Sequence, residues 1–154
     1  MEFGSDYDEI LTAFAIANVD FLVVGGYAVN FYGYDRVTGD LDIWINPEES
    51  NKEKITNALI SLHYLNAGDL DISNLDFSIP LCFRLGEESS TVDIFSHAEG
   101  IKYYDAVKEK VPFIIDGNTK IYFISLQDLI VNKMQTGRPK DIADIELIDD
   151  HLSQ

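Results

Sequence analysis

Apolar positions in the first third of the chain switch between helical spacing and short continuous runs. Ile10, Leu11, Phe14 and Ala17 recur at the spacing of one helix face, which predicts a helix over residues 6–18. The run 21–24 is wholly apolar and is closed by two glycines, a pattern typical of a buried strand. A short helix over residues 27–32 should follow it.

The remainder of the chain continues this alternation of helical and strand patterns. Strands are predicted over residues 41–45, 81–85, 91–95, 113–115 and 120–124, and helices over 47–62, 126–136 and 139–151. Asp116-Gly117-Asn118 is a strong hairpin signal between two strands, and Ser125 and Gly137 mark the two ends of a helix. We therefore expect an α/β (α+β) fold with a small mixed sheet flanked by helices.

Length and composition indicate one domain. The 154 residues are 46% apolar, enough for one core of ordinary size. Residues 1–5 lack periodicity and resemble a cloning remnant, so we assign the domain to residues 6–154. Neither a membrane span nor a secretory signal is recognisable, and we expect a cytoplasmic protein. The single cysteine, Cys82, lies in an apolar run and is predicted to be a small buried side chain.

The charge of the chain limits its partners. It carries 27 acidic and 11 basic residues, a formal net charge of −16. Such a surface repels phosphate backbones, so we expect no broad nucleic-acid binding. A local basic patch could still hold one end of an RNA, and the acidity also suits a basic protein partner.

Three aspartates carry the chemistry that the sequence predicts. Asp40 and Asp42 lie two residues apart at a predicted strand and therefore project to the same side. Asp93 lies between apolar neighbours in a later strand. If that strand pairs beside residues 41–45, three carboxylates converge, and such a cluster requires positive charge between its members. Oxygen ligands of this kind select Mg²⁺, or Mn²⁺, over zinc.

Gly25-Gly26 stands between a predicted strand and a predicted helix. Glycine lets the backbone approach a phosphate closely, and a helix N-terminus directs free N–H groups toward it. Alone, such a pair is more often only a tight turn. Together with the Asp40 and Asp42 pair it predicts a site for a metal-bound triphosphate.

The stretch from Val23 to Ile45 resembles the signature of the DNA polymerase beta-type nucleotidyltransferase superfamily. Its elements are an apolar strand, two glycines, a spacer and Asp-x-Asp on a strand, followed later by a third carboxylate. Gly25, Gly26, Asp40, Asp42 and Asp93 match this order. The phrase around Asp40 is similar to small bacterial members related to abortive-infection and toxin–antitoxin nucleotidyltransferases. The resemblance implies a nucleotidyltransferase fold with these three aspartates as metal ligands and catalytic residues.

Such members also tend to carry a lysine and an Arg-x-Lys-Asp phrase near the C-terminus. Lys133, Arg138 and Lys140 resemble them and are expected to contact the triphosphate. The alternative is that they are cations near a helix end, paired with neighbouring acids. Arg36 and Thr38 precede the aspartate pair and are further candidates for phosphate or base contacts.

The resemblance implies transfer of a nucleoside monophosphate from an NTP, with ATP as the expected donor, to a hydroxyl acceptor. A protein hydroxyl, a tRNA 3′ end or a small molecule such as an antibiotic could be that acceptor. A noncatalytic module that binds a nucleotide or a partner protein is the rival interpretation. The 154 residues leave no room for the separate helical domain by which polymerases hold nucleic acid, so we do not expect processive polymerisation.

Overall fold

The computed structural model describes residues 2–34, 37–63, 72–86 and 90–152. Within these ranges the chain forms six α-helices, six β-strands and two short 3₁₀ turns. The helices are α1 (Ser5–Ile16), α2 (Gly25–Phe31), α3 (Ser50–Ser61), α4 (Tyr103–Ala106), α5 (Leu126–Thr136) and α6 (Pro139–Leu152). The strands are β1 (Phe21–Val24), β2 (Leu41–Ile45), β3 (Cys82–Leu85), β4 (Val92–Phe95), β5 (Val111–Ile115) and β6 (Thr119–Phe123).

The strands form one mixed sheet in the order β3-β4-β2-β1-β6-β5. The pairs β2–β4 and β1–β6 are parallel, and the other neighbouring pairs are antiparallel. This arrangement confirms the predicted α/β (α+β) class with a mixed sheet and flanking helices. It also confirms that the strand carrying Asp93 pairs beside the strand carrying Asp42.

Most predicted elements are present, with shifts at their ends. The chain turns at Asn46, whose side-chain oxygen accepts a hydrogen bond of 3.1 Å from the Glu48 N–H, so α3 begins at Ser50 and not at residue 47. Helix α2 begins at Gly25, two residues earlier than predicted. Helix α4 was not predicted because it has only four residues, too few for a periodic pattern.

The N-terminal segment contributes to the core although no periodicity predicts this. Phe3 is buried, and its ring stacks on Tyr27 at a centroid distance of 5.0 Å and on Phe123 at 5.9 Å. Ser5 already belongs to α1. Phe3 thus connects α2 to strand β6, so residues before position 6 take part in the packing although they were left out of the predicted fold.

Cys82 corrects a second expectation, since it is exposed and not buried. It lies on β3, which is an edge strand with one neighbour, so its side chain is not covered from both sides. In the described part of the chain, no helix has the length and apolar character needed to cross a bilayer.

Candidate active site

The register of three adjacent strands brings the Asp42 and Asp93 carboxylates together beside the end of β1. Asp42 on β2 stands opposite Asp93 on parallel β4, and opposite Val24, the last residue of antiparallel β1. Neighbouring strands lie about 4.8 Å apart, so the two carboxylates start from adjacent backbone positions. Asp40 lies two residues before Asp42 and, as in any extended chain, projects toward the same side.

Gly25 lies directly against the Asp42 carboxylate. Its φ of 67° falls in the left-handed region, and a Cβ at this position would lie 2.0 Å from Oδ2 of Asp42. Any larger residue would therefore displace that carboxylate or the turn. The glycine that follows β1 thus allows the Asp42 side chain to occupy its place in the site.

Asp42 lies in an electrostatically unfavourable position. Burial, followed by the negative charges of Asp93 and Asp40, raises the pKa of the Asp42 carboxyl from 3.8 to about 6, while Lys140 and Lys133 act in the opposite direction. The site therefore favours any added positive charge near this carboxylate.

Arg84 on β3 neutralises Asp93. The two residues are antiparallel register partners, and the guanidinium spans both carboxylate oxygens, with Nε 2.7 Å from Oδ1 and an Nη 3.2 Å from Oδ2. This is the forked geometry in which arginine binds carboxylates most strongly. The Arg84 side chain is 61% exposed, so the pair lies at the solvent edge of the site.

The Asp40 carboxylate is held by Thr91, the residue just before β4. The Thr91 hydroxyl donates a hydrogen bond of 2.5 Å to its Oδ1. The Tyr7 hydroxyl donates to the carbonyl oxygens of Gly39 and Thr91, which connects α1 to the segments just before β2 and β4. Burial, with the neighbouring Tyr27 and Asp40, raises the pKa of Tyr7 to about 12, so this hydroxyl remains a donor at neutral pH.

Two of the three basic candidates, Lys133 and Arg138, form ion pairs with aspartates of α6. The Lys133 ammonium is 2.7 Å from Oδ2 of Asp144 and 3.7 Å from Oδ1 of Asp141, and its side chain is only 6% exposed. The Arg138 guanidinium binds Asp141 at 2.7 Å. Lys140 is exposed. The structure thus places Lys133 in the alternative arrangement of helix-end ion pairs, and its contact with a triphosphate stays a prediction.

Two of the remaining candidates, Gly26 and Thr38, belong to the described residues. Gly26 is buried in the first turn of α2. The Thr38 hydroxyl is 3.5 Å from the carbonyl oxygen of Asp40. Arg36 lies outside the described residues.

The donor set can be tested for its fit to a divalent cation. Among the described side chains, no group of three or more His, Cys, Asp and Glu residues is arranged to hold a metal ion. Two of the three candidate carboxylates, those of Asp93 and Asp40, are engaged by Arg84 and Thr91. The carboxylate oxygens of the three aspartates, and the negative charge that Arg84 leaves uncompensated, suit Mg²⁺. Asp42 with Asp40 could hold a cation, and Asp93 could join once Arg84 releases it.

Sequence reasoning missed Arg84, Thr91 and Tyr7. A partial signal for Arg84 existed, because pairing of the two predicted strands brings residue 84 close to residue 93. The observed register, with Leu85 opposite Val92, places the two residues directly opposite each other. Thr91 and Tyr7 gave no such signal, since their contacts depend on how β4 and α1 pack.

Comparison with known families agrees with this geometry. Residues 7–150 match the model of a family described as nucleotidyltransferase of unknown function (DUF6036). The match covers nearly the whole chain and includes both strands of the aspartate site. The protein belongs to this family and is, at this level, a nucleotidyltransferase. No protein with a curated description is significantly similar to it.

Proposed function

We propose that the protein transfers a nucleoside monophosphate from an NTP to a hydroxyl acceptor in a Mg²⁺-dependent reaction, with ATP as the expected donor. The observation that carries the proposal is the pairing of Asp42 with Asp93 on adjacent parallel strands, with Asp40 two residues earlier. Gly25 against Asp42 supports it, because a glycine there leaves backbone accessible beside a carboxylate.

The roles of the chain's own residues follow from this arrangement. Asp40 and Asp42 would hold the cation, and Asp93 would complete the site and accept the proton of the acceptor hydroxyl. When bound, Mg²⁺ would neutralise phosphate charge and lower the pKa of the attacking hydroxyl. The acceptor oxygen bonds to the α-phosphorus, the bond to the β-phosphate oxygen breaks, and pyrophosphate leaves with that electron pair.

The phosphate-binding groups would come from both sides of Asp42. The backbone of Gly25 and Gly26 lies in the first turn of α2, where N–H groups have no partner within the helix. Arg138 and Lys140 interact electrostatically with Asp42 and would supply positive charge to the phosphates. Thr38 would border the phosphates from the loop before Asp40.

The acceptor is proposed only by class, as a hydroxyl on a protein, on a tRNA 3′ end or on a small molecule such as an antibiotic. Transfer to a protein or tRNA would suit an enzyme of a toxin–antitoxin or phage-defence system. The net charge of −16 disfavours any acceptor that needs a long contact with a phosphate backbone.

The experiment that tests the proposal uses NTPs labelled at the α-phosphate or the γ-phosphate, with Mg²⁺ and cell lysate. We expect the α-label to appear on one class of acceptor and the γ-label only in pyrophosphate. Asp42→Asn should reduce transfer at least about 100-fold, because a cation ligand beside the reacting phosphate is lost. Asp105→Asn, a change at an exposed carboxylate on α4, should leave transfer unchanged. Wild-type protein that labels no acceptor with any NTP would contradict the proposal.

A noncatalytic binding module is the second candidate, and one observation favours it. Arg84 spans both oxygens of Asp93, which lowers the negative charge available to cations. In that case the protein would bind nucleotide, the α-label would never become acid-stable on an acceptor, and Asp93→Asn would not change nucleotide affinity.

A further inference from the structure

Arg84 is held against Asp93 by the backbone as well as by its charge. The antiparallel register of β3 and β4 places the two residues directly opposite each other. Nε and an Nη bind separate oxygens of the carboxylate, at 2.7 Å and 3.2 Å. A carboxylate bound in this way has a positive charge directly beside both oxygens, and that charge repels a cation until the guanidinium moves away.

The net charge of the site also favours a single divalent cation. Asp40, Asp42 and Asp93 carry three negative charges, and Arg84 supplies one positive charge in direct contact. The two remaining negative charges match one divalent cation. Lys133 and Arg138 pair with Asp144 and Asp141, and Lys140 acts on Asp42 electrostatically. Among the ion pairs of the described residues, Arg84 is the cation that directly contacts one of these three carboxylates.

We propose that Arg84 takes the place of a divalent cation on Asp93, so that the nucleotide-free protein binds one such cation, at Asp42 with Asp40. Asp93 becomes a ligand only when Arg84 leaves. Triphosphate is the natural competitor for the guanidinium, because the same fork binds phosphate oxygens. Arg84 would thereby link the arrival of the nucleotide to completion of the cation site. This inference rests on the proposed function, in that Asp42 must bind a divalent cation.

The competing explanation is an ordinary surface ion pair. The Arg84 side chain is 61% exposed, and such pairs often contribute little to stability. Arg84 would then swing away freely, and Asp93 would contribute equally to cation binding whether or not the arginine is present. The two explanations differ in the coupling between residues 84 and 93, which a double-mutant cycle measures.

The test is titration of the nucleotide-free protein with Mn²⁺, with free Mn²⁺ followed by electron paramagnetic resonance. The proteins are the wild type, Arg84→Gln, Asp93→Asn and the double variant. In the wild-type background, Asp93→Asn should change the Mn²⁺ dissociation constant by less than about twofold. In the Arg84→Gln background, the same change should weaken Mn²⁺ binding by at least about fivefold, which corresponds to the upper range of coupling energies at exposed charge pairs. Arg84→Gln alone should bind Mn²⁺ more tightly than the wild type.

Controls separate this effect from general charge and from misfolding. Lys120→Gln removes one positive charge from β6, three strands away from β4, and should leave Mn²⁺ affinity within about twofold of the wild type. Arg84→Lys keeps the charge but not the fork, and should lie between the wild type and Arg84→Gln. If Asp93→Asn folds poorly, the comparison of Arg84→Lys with Arg84→Gln still tests the inference, because Arg84→Lys keeps the charge and would bind Mn²⁺ like the wild type if charge alone mattered.

Two results would overturn the inference in different ways. Equal effects of Asp93→Asn in both backgrounds, with Mn²⁺ binding still abolished by Asp42→Asn, would refute the role of Arg84 and leave the proposed function intact. Mn²⁺ binding that is absent, or insensitive to Asp42→Asn, would refute the inference and the proposed cation site together.

Discussion

Replacing Asp42 with asparagine should stabilise the metal-free protein at neutral pH. Asn has nearly the shape of Asp, fits beside Gly25, and carries no charge into a buried position next to Asp93 and Asp40. The gain should be present in EDTA, where no divalent cation compensates the carboxylate. It should disappear in acid, where the wild-type carboxyl is itself protonated.

The magnitude and its sign follow from the raised pKa. The pKa of Asp42 is about 6 in the folded protein against 3.8 for the unperturbed group, and a shift of roughly two units corresponds to about 3 kcal/mol. Between these values the folded state holds a proton that the unfolded state has released, so wild-type stability falls as pH rises through this interval. Above pH 6 the asparagine variant should be more stable by up to about 3 kcal/mol, or roughly 5–10 °C in Tm for a domain of this size.

The assay is urea and thermal unfolding of both proteins in EDTA from pH 4 to pH 8. Asp105→Asn, at a carboxylate whose side chain is 64% exposed, is the matched control and should not change stability. Adding Mg²⁺ should stabilise the wild type and not the Asp42 variant, because only the former binds it. A variant that is no more stable at pH 7.5, or whose advantage does not depend on pH, would refute the electrostatic argument.

Two further variants test contacts of the site and its surroundings by urea unfolding. Gly25→Ala should lower the free energy of unfolding by at least about 2–3 kcal/mol, because its methyl group would lie 2.0 Å from Oδ2 of Asp42. Gly33→Ala, at a φ of 90° with open space around it, should show only the backbone cost of about 1 kcal/mol. Equal losses would exclude the steric contact. Lys133→Met should cost about 3–5 kcal/mol because it removes the 2.7 Å ion pair from the buried Asp144 carboxylate. Lys108→Met, in an exposed pair, should cost less than about 1 kcal/mol. A small effect at Lys133 would contradict a stabilising role of this ion pair.

The sequence predicts those parts of the fold that depend on local pattern. The run 21–24 and the hairpin around Asp116-Gly117 are encoded by neighbouring residues, and the structure reproduces both. Phe3 shows the limit, since one aromatic residue has no period and its partners Tyr27 and Phe123 are remote in sequence. The start of α3 was missed for a different, local reason, because the side chain of Asn46 binds the Glu48 N–H and competes with the helix.

The same distinction applies to the candidate site. Strand periodicity places Asp40 and Asp42 on one side. The pairing of β4 beside them was a condition that the sequence left open, and the structure meets it. The ion pairs of Lys133 depend on how α5 packs on α6, which no local pattern specifies. The position of Arg84 opposite Asp93 depends on the register of β3 and β4, which the predicted strand bounds 81–85 and 91–95 did not fix, and its forked contact with Asp93 depends on the side-chain conformation.

The most direct test of the central claim is ATP binding measured by calorimetry with Mg²⁺ and in EDTA, for the wild type and Asp42→Asn. Without a divalent cation, the triphosphate would face the uncompensated charges of Asp40 and Asp42. We predict that EDTA weakens wild-type binding at least about tenfold, since like charges at this range in a partly buried site cost more than about 1.4 kcal/mol. The Asp42 variant should show little dependence on Mg²⁺. Equal wild-type affinity in Mg²⁺ and EDTA would mean that the basic residues alone hold the nucleotide, and would contradict a cation site at these aspartates.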